Sequence, residues 1–135
     1  MAENKIEQFL IDLMYTYQQV KGIQNLWLID DAEQGLSGVA VAFTDSLVTL
    51  RTAVMDVPGN GSVELFSTLL ELNADLIHGA YALSGGKIIL IDTLEYDTMD
   101  FGDFRAVLDA FSMALSQHYP VLSKFRDKPE QAGGK

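Results

Sequence analysis

The apolar residues at the start of the chain fall on one helical stripe. Ile6, Phe9, Leu10, Leu13, Met14 and Tyr17 recur at helical spacing. Asn4, with Glu7 three residues later, is placed to cap this helix, and Gly22 is a natural stop. The period then shortens to two. Ile23–Asp30 is a nearly continuous apolar strand. Leu36–Thr44 alternates Val39, Val41 and Phe43, and Ser46–Val57 alternates Val48, Leu50 and Val54 against Thr49 and Arg51. Pro58-Gly59-Asn60-Gly61 is the strongest break. Beyond it, Ser62 reads as the N-cap of a second helix from Val63 to about Asn73. Strands Leu76–Leu83 and Lys87–Leu94 follow, joined by Ser84-Gly85-Gly86 as a hairpin. Asp100 caps a last helix from Phe101 to about Tyr119, which Pro120 ends or kinks. The predicted order is α-β-β-β-α-β-β-α.

Two helices carry more apolar surface than one sheet covers. On a helical wheel, Val63, Leu65, Phe66, Leu69, Leu70, Leu72 and Leu76 spread over about 180°, against the ~100° stripe that a helix on one sheet needs. In the last helix, Ala106, Ala110 and Met113 form a second seam beside the main stripe of Phe101, Phe104, Val107, Leu108, Phe111 and Leu115. Small residues at that spacing permit another element to approach closely. Ile11 and Tyr15 lie off the main stripe of the first helix. A second subunit is the expected cover for this surplus.

Composition narrows the class. Residues 1–125 are expected to form one domain and 126–135 a polar, frayed tail, within a chain of 135 residues and 14.9 kDa. Hydrophobic residues make up 48%, enough to bury a core. No apolar run approaches a membrane span, and no signal peptide is visible, so a cytoplasmic location is expected. The absence of cysteine excludes disulfides, thiolate metal sites and cysteine nucleophiles. A net charge of −10 disfavours nucleic acid and anionic membranes as partners.

Catalytic chemistry finds no foothold. His78 and His118 stand in different elements, and nothing in their context brings them together. The acidic group Asp92, Glu95, Asp97, Asp100 and Asp103 lacks the spacing of a calcium loop. Asp100 and Asp103 read instead as the cap and first turn of the last helix. Asp30-Asp31 reads as a turn. Gly59-Asn60-Gly61-Ser62 lacks the lysine of a phosphate loop and the third glycine of a dinucleotide fingerprint. No nucleophile-elbow motif and no basic stripe with interleaved aromatics is present. No catalytic residue, metal or cofactor is therefore expected. An enzyme without a recognisable motif stays a minor alternative.

The element order, together with Leu65 to Phe111, resembles the type III secretion chaperone-like superfamily, which includes CesT-type (Tir) chaperones and YbjN-like proteins. The stretch carries a helix ending in LL-x-x-N (Leu69, Leu70, Asn73), a strand with a small-residue centre (Gly79, Ala80) and a glycine hairpin (Gly85, Gly86). An apolar strand and an acidic link into the last helix complete it. The resemblance implies an α+β fold: one twisted, mainly antiparallel sheet with helices packed on it. It also implies a homodimer without catalytic activity, chaperone- or adaptor-like, that binds an extended client segment. The alternative it leaves open is a stand-alone YbjN-like regulatory or stress-related protein with an unknown ligand.

Two surfaces are singled out. The broad arc of the second helix and its neighbouring strand place the dimer interface at Phe66, Leu69, Leu70, Leu72, Asn73, Leu76 and His78. Strand Ile23–Asp30 is apolar on both faces, and a strand with one buried face would alternate. That places a partner surface around Ile11, Tyr15, Trp27, Ile29, Val39 and Val41, unless the last helix covers it. The acidity favours a client segment with basic residues at its rim.

Overall fold

A computed structural model describes residues 4–126. The expected tail at 126–135 lies outside the described residues apart from Arg126. Helix α1 runs Lys5–Leu13, and the Asn4 side chain accepts from the Ile6 N–H at 2.7 Å, as its sequence position predicts. The helix ends well before Gly22. Met14 takes up a left-handed conformation (φ 62) and its N–H bonds back to the last turn. This early stop frees Tyr17–Gln19 to form a short strand, β1, that the helical reading of Tyr17 concealed.

Strands β2 (Leu26–Asp31), β3 (Leu36–Thr44) and β4 (Leu47–Asp56) continue the sheet. Helix α2 spans Ser62–Asp75. Its N-cap is Gly61 (φ 80), not Ser62, and it has no side-chain cap. Strand β5 is Ala80–Ser84, shorter than Leu76–Leu83, because α2 runs on to Asp75 and residues 76–79 bend. Strand β6 is Lys87–Glu95, α3 is Phe101–Gln117 and α4 is Tyr119–Leu122. Pro120 opens this last short helix. The N-terminus of α3 has a full capping box: the Asp100 carboxylate accepts from the Asp103 N–H at 2.8 Å, and Asp103 accepts from the Asp100 N–H at 3.0 Å.

All strand pairs are antiparallel, in the order β1-β2-β3-β4-β6-β5. The α+β class is as expected, with six strands where the periodicity predicts five. One face of the sheet presents Trp27, Ile29, Val39, Val41, Val48 and Leu50, and these join Ile6, Leu10, Phe104, Val107, Leu108 and Phe111 in one cluster. Each such fully buried large side chain contributes about 1.5–3 kcal/mol. Asp30 and Asp31, expected in a turn, lie at the end of β2, and they and Asp92 in β6 accept from backbone N–H groups. Asp31 takes the Thr16 N–H at 2.8 Å, Asp30 the Gly38 N–H at 2.7 Å and Asp92 the Gly79 N–H at 2.8 Å.

Gly79 is held between β6 and α3. Its φ is +83, and a Cβ there would lie 3.0 Å from Cε1 of the buried Phe111 ring. Gly79→Ala is expected to destabilise the fold by about 2–3 kcal/mol, from the left-handed backbone together with the displaced ring. The urea midpoint measures it. An unchanged midpoint would mean that α3 is not packed this tightly on residue 79.

Candidate functional site

Asn73 organises the edge of the sheet. It stands near the end of α2, and its side-chain amide faces the backbone of β5. Its Oδ1 accepts from the Tyr81 N–H at 2.7 Å and its Nδ2 donates to the Tyr81 carbonyl at 3.2 Å. An amide side chain thus takes the place that a neighbouring strand would fill. The Tyr81 hydroxyl in turn meets His118 Nδ1 at 2.7 Å. Burial pushes the Tyr81 phenol up to about 12, so it stays neutral beside His118. Burial lowers the His118 pKa, against an opposing pull from Asp75. One chain of contacts therefore runs from α2 through β5 to the end of α3.

Two grooves flank this chain of contacts. The first, about 180 Å³, lies between α2 and β5 and is walled by Phe66, Leu69, Leu70, Asn73 and Leu83. Leu70 and Leu83 are 69% and 59% exposed along it. The second, about 460 Å³, lies between the bend after α2 and the outer side of α3. Leu76 and Ile77 stand on one wall, and Ala106, Ala110 and Met113 on the other. Asp75, His78, Asp109 and His118 also line it.

The residues expected at a dimer interface divide between these places. Phe66, Leu69, Leu70 and Asn73 meet at the first groove, Leu69 with its side chain buried inward. Leu72 and Leu76 pack partly against the core, and Leu76 and His78 line the second groove. Of the broad arc of α2, Leu65 and Leu69 are buried and Phe66, Leu72 and Leu76 pack partly on the core, which leaves Val63 and Leu70 exposed.

The expected partner surface needs correction. Trp27, Ile29, Val39 and Val41 are all buried, at 1% exposure or less, because α1 and α3 cover their face of the sheet. Tyr15 packs partly against the same core, and only Ile11 remains exposed. The two-sided apolarity of the strand is real, but the open side is the other one. Leu26 and Leu28 pair there with Ala42 and Ala40, half-buried. Arg51 crosses that face to bond Ser84 Oγ at 3.2 Å. Sequence reasoning missed that His78 and His118 share a groove. They are brought together only by the bend at residues 76–79, which the pattern reads as strand.

Among the described residues, no group of three or more His, Cys, Asp or Glu is placed to hold a metal ion, and no helix is long and apolar enough to cross a membrane. The fold is a six-stranded antiparallel open sheet with helices packed on it. The family model CesT_Tir_1 matches residues 1–128, so the chain belongs to that family of chaperones, as the sequence resemblance implies. No curated protein matches it. Among solved structures, it is similar to a chain of the heterodimeric ExoU–SpcU complex from the type III secretion system of Pseudomonas aeruginosa. That match has TM-score 0.69 and 14% identity, covering 85% of this chain and 95% of the other. YbjN from E. coli matches with TM-score 0.65 and 14% identity, covering 87% and 90%. A chain of the ExsC–ExsE complex matches with TM-score 0.52 and 13% identity, covering 87% and 94%.

Proposed function

We propose that this chain is a non-catalytic, homodimeric protein-binding module of chaperone or adaptor type, which holds an extended segment of a client protein. Membership of the CesT_Tir_1 family supports the reading, as does the likeness to chains from two protein complexes. The observation that carries it is the exposed apolar strip of Leu70 and Leu83 along the groove between α2 and β5. Large apolar side chains side by side on a chain of this acidity mark a contact surface. The strand there, Ala80–Ser84, bears no charge. The proposed dimer interface is Phe66, Leu70, Asn73 and Leu83. The likeness to YbjN favours a second reading, a stand-alone protein that serves no secretion client.

The test is to retain partners on the immobilised full chain, identify them, and rebuild the complex from two purified proteins. The reading predicts a complex in which an extended partner segment gains protection from protease. Failure of every retained protein to form a binary complex would contradict it and favour the stand-alone reading.

A further inference from the structure

The larger groove, between the bend at residues 76–79 and α3, has no occupant from the described chain. Its apolar walls are open: Ile77 is 89% exposed and Met113 57%. Ala106 and Ala110 put little bulk between them, so an incoming backbone can come close to α3. Two carboxylates stand at its rim, Asp75 at the end of α2 and Asp109 on α3. Arg105 approaches Asp109 at 3.7 Å in a loose, exposed pair on the same helix, which offsets little of that charge. The remaining titratable groups on the groove are His78 and His118. With both histidines neutral, the four lining groups sum to two negative charges. With both protonated, they sum to none.

We propose that this groove takes a partner segment whose apolar side chains are flanked by lysine or arginine, and that protonation of His78 and His118 releases it. This rests on the protein-binding reading above and names the surface and the chemistry of the partner. The occupant follows from the rim. An acidic or uncharged segment gains nothing from Asp75 and Asp109, and a second copy of this chain would bring further negative charge against them. The apolar walls fix the side chains between the charges, and the carboxylates supply the selection. Both histidines line the same groove as the two carboxylates and would meet a basic side chain placed there. Their added positive charge opposes it from the bend and from the end of α3 at once. The Tyr81 hydroxyl holds the His118 ring in place on one side, and Asp75 faces it from α2.

The probes are two synthetic peptides with the same leucine pattern, one interspersed with lysine and the other with glutamate. Binding to the full chain is read by anisotropy of a dye on the peptide and mapped by backbone amide shifts. The lysine peptide is expected to bind at least about tenfold tighter than the glutamate peptide. Asp75→Asn with Asp109→Asn should weaken it about tenfold. Glu33→Gln with Asp97→Asn, the same charge change on exposed residues outside the groove, should change it less than about twofold. Lowering the pH from about 7.5 to about 5, well under the ordinary histidine range because burial lowers the His118 pKa, should weaken binding several-fold in the native chain and not in His78→Gln with His118→Gln. Shifts should centre on residues 76–78 and the 106–113 side of α3. Equal loss in the two acid pairs, shifts centred on Leu26 and Leu28, or an unaltered pH response in the histidine variant would overturn the proposal. Those outcomes leave the protein-binding reading standing. If neither peptide binds, the groove assignment falls, while the reconstituted client complex still decides the broader function.

Discussion

Replacing Leu70 by aspartate is expected to turn the proposed dimer into a folded monomer. Leu70 is 69% exposed in the single chain, so a carboxylate there is hydrated and costs the monomer little. In the dimer it would be buried against the apolar groove of the second copy without a partner. That burial is costly by several kcal/mol at each of two symmetry-related positions. The dissociation constant should rise by more than about a hundredfold. Circular dichroism and the urea midpoint of the monomeric species should stay near those of the native chain diluted below its dissociation constant. A variant that remains dimeric would move the interface away from α2 and β5. Leu72→Asp makes the contrast, because Leu72 packs on the core and its replacement should unfold the chain rather than separate it.

The second large effect concerns Asn73. Its amide offers an acceptor to the Tyr81 N–H and a donor to the Tyr81 carbonyl, both from the edge of the sheet. Asn73→Asp keeps the shape and the acceptor but removes the donor, so a carboxylate oxygen then faces a carbonyl oxygen. A lost hydrogen bond to a part-buried group costs about 1–3 kcal/mol, and the added repulsion places this variant at the upper end of that range. Asn73→Ala leaves both backbone groups open to the groove, where water reaches them, and should cost less, about 1 kcal/mol. The urea midpoint ranks the two. If aspartate is tolerated as well as alanine, Asn73 does not close the strand edge in the way its geometry indicates. Hydrogen exchange at the Tyr81 amide gives an independent reading, since both variants should speed it.

Much of this molecule is legible from residue order. Leu36–Thr44 alternates, and the strand has those limits, because Gly35 and the turn at Asp45-Ser46 bound it. Asp100 and Asp103 announce the start of α3, and the two carboxylates cap it reciprocally. The early end of α1 was not legible. Met14 stops the helix in a left-handed conformation with no glycine or proline to mark it, so Tyr17 still looks like the next residue of the stripe. A strand of three residues is too short to show alternation of its own.

The candidate site was legible in part. The excess apolarity of the second helix was visible, but a wheel does not say which half of an arc faces inward. Leu65 and Leu69 turn to the core and Leu70 does not. Apolar residues on both sides of β2 likewise signalled two contacts without ordering them. The larger contact went to α1 and α3, which buried Trp27 and Ile29. His78 and His118 come together through tertiary structure alone, and neither carries a local signal of the other. Gly79 made that meeting possible, because only a residue tolerant of positive φ and without a Cβ fits under Phe111.

In the proposed dimer, two copies join across the groove of α2 and β5 to form the binding module. Light scattering on a sizing column, with the full chain at tens of micromolar and again after Leu70→Asp, tests it most directly. The expected mass is twice the 14.9 kDa chain for the native protein and one chain for the variant. A native mass of one chain, or an unchanged dimer in the variant, would contradict it.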